Sequence, residues 1–361
     1  MNNVVTIFLN LVKIDSPSGH EQKIASYLEQ WLKRQKFLVK KDIAGNIVAY
    51  RGGAGKPILF SAHMDTVEPG RGIAPVIKDG IIKSSGNTIL GADNKAAIAA
   101  ICYAVEKYIK KEKKPRSIEI LFTVKEETGG GLDFFDFKSI KSKVGFIFDV
   151  SGPLGGIVLA SPYIENFHVT FYGKSAHAKN PEKGKNALIP LRRLLSNFPL
   201  GISDDGETFI NVGLVSGGTG INIIPEKISI SGEVRSFSKN LFKRHMDKIK
   251  ASSKKYGKQM GIKVSFKCDG YCSGYSHLKK DEDIKVAERL LMNEGYKARY
   301  LKNAAISDAN PLCAAGIKTI NFSDGVMKPH TKEESILENN LVKLERIVGS
   351  LLDNFRGDVS H

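Results

Sequence analysis

A chain of 361 residues with 42% hydrophobic and 25% charged side chains is long enough for two or three domains with a sizeable core. It has no apolar run near about 18 residues, and MNNVVTIFLNLVKIDSPSGHE carries neither a basic leader nor a small-residue cleavage site, so a cytoplasmic protein without membrane partners is expected. The 54 Lys and Arg against 38 Asp and Glu give a net charge of +16, but the basic residues are dispersed and no nucleic-acid motif with interleaved aromatics is present, so the charge reads as a solvated surface.

Ser18 and Glu21 in SPSGHEQK have capping-box spacing, and Ile24, Leu28, Trp31 and Leu32 then recur on one helical face, so a helix is expected to open the fold. KPILFSAH reads as an apolar strand, AAIAAICYAVEKYIKK as a helix, and SIEILFTV and VGFIFDV as two further strands. Continuous apolar strands alternating with helices predict an α/β domain whose mostly parallel sheet is covered on both faces. From Tyr163 the texture changes: YIENFHVTFYGKSAH and KISISGEVRS alternate polar and apolar residues, with helical stretches at ALIPLRRLLSNF and NLFKRHMDKIKASSKKY. That alternation predicts antiparallel strands with one wet face, an α+β domain. After CDGYCSGYSHL the first texture returns, with a helix at DIKVAERLLMNEG and a strand at KTINFS. The expected organisation is a discontinuous α/β domain, 1–162 and 273–361, with an inserted α+β domain, 163–272. Cys102, Cys268, Cys272 and Cys313 supply only one C-x-x-x-C pair and read as free thiols in reducing surroundings.

Metal-type side chains collect where the predicted strands end. His63 follows the strand ILFSA with Asp65 two residues on; Asp93 in GADNKAA lies just before a helix; Glu126 and Glu127 end SIEILFTV ahead of three glycines; Asp149 ends GFIFDV; and His330 in KPHTKEE follows the last strand. Open α/β sheets bind ligands outside the carboxyl ends of their strands. Singly, each residue has an ordinary explanation: His63 as a strand-end histidine, Asp93 as a helix cap, the two glutamates as solvated loop residues. Together they form a nitrogen and oxygen donor set suited to zinc, with cobalt or manganese as substitutes.

SAHMDTV, GADNKA, EETGG, FDVSG, GKSAHA, GGTGINIIPE, GEVRS and PHTKEE occur here in the order found in the co-catalytic dinuclear zinc peptidases, a family that includes tripeptide aminopeptidase (peptidase T), glutamate-releasing carboxypeptidases, dipeptidases, aminoacylase and desuccinylase. The chain resembles this family over nearly its whole length, and GADNKAAIAA with KEETGGGL looks most like the peptidase T branch. The resemblance implies that Asp93 bridges two zinc ions, His63 and Asp149 completing one site and Glu127 and His330 the other. It implies that Glu126 is the general base and that Asp65 orients the His63 imidazole. Two such ions about 3.5 to 4 Å apart would polarise a scissile carbonyl and acidify a water. A carboxylate beside them could take that water's proton to the leaving amine.

By the same resemblance the inserted domain is a lid or a dimerisation domain. His177 in GKSAHA would stabilise the oxyanion, often from the partner of a dimer, while Asn222 and Arg235 would bind substrate, Arg235 as a fork for a carboxylate. Without the resemblance these three read as a turn histidine, a turn asparagine and a surface ion-pair arginine. AAISDANPL departs from the family pattern: Ala305 and Ile306 stand where two glycines are usual, so substrate selection near Asp308 is expected to differ.

The leading expectation is a cytosolic zinc exopeptidase releasing the N-terminal residue of short peptides. Alternatives are an amidohydrolase or deacylase of N-acyl amino acids, a carboxypeptidase, a non-catalytic relative, or a polyanion binder driven by the basic charge. Because neighbouring strand residues point to opposite sides, the strand must end before Glu126 and Glu127 can serve one site, and the glycines after Thr128 suit that break.

Overall fold

The computed structural model describes residues 3–203 and 205–355. The chain divides into two compact units, one formed by Met1–Leu159, His277–Asn303 and Ser307–His361, the other by Ala160–Ser276 with Ala304–Ile306. Residues 1–2 and 356–361, the outer limits of the expected α/β domain, lie outside the described residues.

In the first unit four strands run parallel, in the order Arg116–Thr123, Ala54–His63, Val144–Val150, Lys318–Ser323. Ser117–Thr123 and Ile58–His63 are buried without interruption, because both faces of this part of the sheet are covered. The rims are antiparallel: Ile47–Arg51 joins Arg116–Thr123 on one side, and Gly156–Ser161 joins Lys318–Ser323 on the other. Parallel pairing sets His63 opposite Thr123 and Ser61 opposite Ile147, so the carboxyl ends of the strands fall at one edge. The helix Ala92–Lys111 packs on the two middle strands and against the C-terminal helix Glu338–Asn354.

Two local expectations are corrected. The first helix is Val4–Val12, not the one after Ser18; VVTIFLNLV looks strand-like by composition, yet it buries Val4, Phe8, Leu11 and Val12 at helical spacing and is capped by Asn3, whose Oδ1 accepts the Thr6 amide at 2.9 Å. The capping box does not form. The helix Gln22–Arg34 starts without a side-chain cap, because the Ser18 hydroxyl donates to Asp65 Oδ2 at 2.6 Å and Glu21 Oε1 accepts the amides of Gly19 and Lys125.

A small antiparallel sheet completes the unit, in the order Val326–Met327, Ser335–Leu337, Ile81–Ser84, Pro75–Lys78. Its first two strands form a hairpin whose loop carries His330.

The second unit holds a five-stranded sheet in the order Gly201–Ile202, Thr208–Gly217, Lys227–Ser236, Tyr163–Tyr172, Lys263–Cys272, antiparallel throughout. Alternate residues Phe167, Val169 and Phe171 turn inward beneath the helices Leu188–Ser196 and Lys239–Gln259, meeting Leu191, Leu194, Phe242 and Ile249. Cys102, Cys268 and Cys313 are free thiols. Among the described residues no helix is long and apolar enough to cross a membrane.

Candidate metal centre and active site

His63 is the last residue of its strand and only 2% exposed. Its Nδ1 lies 3.0 Å from the main-chain oxygen of Asp65; a carbonyl can only accept, so Nδ1 carries the proton and Nε2 faces Asp93 Oδ1 at 3.2 Å and Asp149 Oδ1 at 3.6 Å. The Asp65 carboxylate is farther from Nδ1, at 3.5 Å. Its oxygens are taken instead by the amides of Glu126 and Glu127, at 3.0 and 3.2 Å, and by Ser18. Asp65 thus orients the imidazole through its main chain and the two glutamates through its side chain.

The glutamate pair follows a strand that ends at Thr123. The chain turns at Lys125, whose φ of 54° breaks the alternation of a strand, so the break precedes the pair rather than waiting for the glycines after it. Gly131 is needed for a different reason: a Cβ there would stand 1.7 Å from the Val124 oxygen. Glu126 and Glu127 leave this turn to different ends. Among the described residues Glu127 Oε1 makes no aligned hydrogen bond, although it lies 2.9 Å from His330 Nε2. His330 Nε2 is also 3.4 Å from Asp93 Oδ2.

Two donor sets result, His63 with Asp93 and Asp149, and Asp93 with Glu127 and His330; within each, one atom per residue lies within 4.8 Å of the others. Asp93 belongs to both, one oxygen facing each histidine. The buried Glu127 oxygen, without a hydrogen bond among the described residues, and the mixed nitrogen and oxygen donors fit a pair of divalent cations. Asn94 aligns the first set by donating to the Phe148 oxygen at 2.7 Å and to Asp149 Oδ1 at 3.2 Å. Asn321 accepts the Asp149 amide at 3.0 Å.

The electrostatics point the same way, because the carboxyls of Asp65, Asp93, Glu126, Glu127, Asp149, Asp308 and Asp324 outnumber the imidazoles among them. Burial pushes Asp149 up to about 7, against the help of His63, with Asp93 and Asp308 adding to the rise. Burial, then the Asp149 charge, lifts Glu126 well above the usual carboxylate range. Burial also raises Asp308 to about 6 although Thr123 donates a hydrogen bond to it, and raises Asp324 with Asp93 adding. Asp93 and Asp65 are the exceptions: burial opposes the ionisation of both, but His330 and His63 hold Asp93, and His63 with Ser18 holds Asp65, below the usual range. His63 stays protonated well above its ordinary value, Asp149, Asp65 and Asp93 overcoming the burial that would lower it.

Residues 162–260 match the family described as Peptidase dimerisation domain. The fold superposes on the crystal structure of aminopeptidase PepT from Bacillus cereus ATCC 10987 with a TM-score of 0.92 and 32% sequence identity, covering 97% of each chain. The chain is a peptidase T-like member of the M20 metallopeptidase family. A tripeptidase from Staphylococcus aureus subsp. aureus Mu50 is similar at a TM-score of 0.91 and 26% identity, over 97% of this chain and 96% of that one. The uncharacterized protein YqjE of Bacillus subtilis strain 168 is 32% identical over 358 residues, 96% of each chain. As a member of the M20 family the chain is a metal-dependent hydrolase, and its two donor sets form a candidate metal centre.

Of the residues singled out from sequence, His63, Asp65, Asp93, Glu126, Glu127, Asp149, Asp308 and His330 lie in the first unit of this M20 peptidase, and His177, Asn222 and Arg235 in the second. His177 pairs by a bridge with Ile223, and its Nδ1 accepts the Lys179 amide at 3.2 Å, which leaves Nε2 as a donor in the neutral ring. The Asn222 oxygen of the main chain accepts the Ala178 amide at 2.8 Å. Arg235 gives Nε and Nη2 to the carboxylate of Glu233, at 2.8 and 3.0 Å, and Nη1 to the Ala304 oxygen at 3.0 Å. Its fork is therefore held by Glu233. Glu233 lies two residues away on the same strand face, yet sequence alone named no partner for Arg235. The contacts of Ser18, Glu21, Asn94 and Asn321 likewise had no signal.

Proposed function

We propose that this protein is a zinc-dependent aminopeptidase that removes the N-terminal residue of short peptides, tripeptides foremost. The observation that carries the reading is Glu126. It stands beside two donor sets that share Asp93, belongs to neither, and has its proton affinity raised above that of an ordinary carboxylate by burial and by the Asp149 charge. His63 and Asp149 would hold one zinc ion, Glu127 and His330 the other, and Asp93 both; cobalt or manganese would suit the same donors. Bound there, such ions would supply Lewis acidity to the scissile carbonyl and to the attacking water. Glu126 accepts the water's proton on its carboxylate and returns it to the leaving amine, which its raised proton affinity favours. Asp65 holds Glu126 in place through the main-chain amide, and Asp308, hydrogen-bonded to Thr123, adds its charge to the rise at Glu126.

His177, with Nε2 free to donate, would stabilise the oxyanion; Asn222 would bind the peptide backbone, and Arg235 the peptide's terminal carboxylate. A homodimer is supported by the match to a dimerisation domain and by Leu214 and Val215, 70% and 62% exposed on a strand that Gly201–Ile202 covers only at Phe209 and Ile210. The kinship to an aminopeptidase and a tripeptidase supports the substrate class. A cytoplasmic location belongs to the same reading.

The test is hydrolysis by the zinc-loaded protein of di-, tri- and tetrapeptides with free or acetylated N-termini, alongside N-acyl amino acids. Tripeptides with a free amine should be cleaved fastest and acetylation should abolish cleavage. Preference for N-acyl amino acids, or release of the C-terminal residue from blocked peptides, would replace this reading with the deacylase or carboxypeptidase one.

A further inference from the structure

Glu334 lies four residues beyond His330 and is 1% exposed. Its Oε2 accepts the amides of Leu90 and Gly91 at 2.9 and 2.8 Å, and its Oε1 those of Ala92 and Asp93 at 2.8 and 3.0 Å. A buried carboxylate is tolerated when its lone pairs are all used, and these successive amides use them. The turn it grips cannot hold itself. Gly91 sits at φ 67°, and Asp93 and Asn94 have non-helical angles at the head of the helix Ala92–Lys111, so these amides have no intrahelical acceptor. Four amides converging on one point make a cradle for an anion, here filled from within the chain.

The loop that supplies this anion also carries His330. It spans the hairpin between Val326–Met327 and Ser335–Leu337, and His330 adopts φ 62°, a left-handed conformation uncommon for any residue but glycine. One end of the loop presents an imidazole to the second donor set, and the other grips the backbone of Asp93, which serves both sets.

We propose that Glu334 is a positioning residue that joins His330 and the turn of Asp93 into one rigid piece, so that both metal sites are set by a single clamp. The proposal rests on the reading of Asp93 as the shared ligand. A glutamine cannot replace Glu334: its NH2 would face two amide donors, and half the clamp would open. Aspartate keeps the charge but falls one methylene short.

The experiment titrates Co2+ into chelator-stripped protein at a temperature where circular dichroism shows every variant folded, reading stoichiometry, affinity by competition with a chromophoric chelator, and the visible spectrum of the bound ion. Glu334→Gln should bind Co2+ roughly 10- to 100-fold more weakly and with an altered spectrum, as when a residue that orients ligands is lost. Glu334→Asp should fall between it and the wild type, and it carries the comparison should Glu334→Gln not fold. Ile336→Ala, a cavity in the same hairpin, should lower the melting temperature while leaving affinity and spectrum unchanged. Wild-type Co2+ affinity and spectrum in Glu334→Gln, or equal losses in Glu334→Gln and Ile336→Ala, would overturn the clamp. Asp93→Ala separates the two ideas: wild-type binding of both ions by that variant would sink the shared-ligand reading, whereas its loss beside intact Glu334→Gln would sink the clamp alone.

Discussion

The candidate metal centre of the first unit and the candidate recognition residues of the second are built on opposite principles. His63, Asp65, Asp93, Glu127 and Asp149 have side chains 0–14% exposed, and main-chain groups or buried carboxylates grip the segments that bear them. His177 and Asn222 are exposed, and their loop is tied mainly by main-chain bonds. The difference separates two tasks. Donor atoms that share ions must hold their places before anything binds, which calls for strand ends and firmly gripped segments, with His330 the donor carried on a hairpin loop, whereas contacts to a peptide of variable sequence can wait on loops.

Substitutions on the two sides should therefore fail differently. Asp93→Ala should lose both bound ions and hydrolysis with them, measured by elemental analysis and steady-state kinetics; retention of one tight ion would mean the sets are independent. Glu126→Gln should keep its full metal content while hydrolysis falls by about 10²- to 10⁴-fold, the usual worth of a general base. Arg235→Lys should leave metal content and kcat intact and raise KM by roughly 10- to 100-fold, because a lysine lacks the planar fork of an arginine. A fall in metal content there would erase the distinction between the two regions.

The smallest effect concerns His330, whose side chain is 48% exposed. In chelator-treated protein Asp93 and then Glu127 raise it from 6.5 to about 10, against burial. A raised pKa stabilises fully below the ordinary value and is lost as pH rises through the shifted one. The melting temperature of the metal-free protein should thus decline as pH rises from 6.5 to about 10, and His330→Ala should flatten that decline. A metal-free protein with no such slope would mean that His330 does not face the acidic cluster in solution.

The gathering of His63, Asp93, Glu127, Asp149 and His330 was legible because the first four end a predicted strand or open a predicted helix and His330 follows the last strand, and one topological edge collects such positions. The parallel centre of the sheet was legible for a similar reason, since runs such as SIEILFTV need cover on both faces. The helix Val4–Val12 was not legible, because β-branched residues dilute the helical signal of VVTIFLNLV and only packing shows that Val4, Phe8, Leu11 and Val12 share a helical face. Ser18 and Glu21 misled in a more instructive way. Their spacing satisfies a local rule, but Asp65 and the Lys125 amide compete for the same side chains from across the fold.

By itself the sequence determined the alternation of elements, the change of texture at Tyr163, and which side chains have the chemistry to hold a metal ion or move a proton. All of these follow from residue type and from periods of two or 3.6, which are local. Only the tertiary structure decided that Lys125 makes the turn before the glutamate pair, that Glu233 holds the fork of Arg235, and that Glu334 grips the turn of Asp93 across 241 residues of chain. The physical reason is that a buried carboxylate is satisfied by whichever amides the fold brings to it, and sequence spacing carries no record of that encounter.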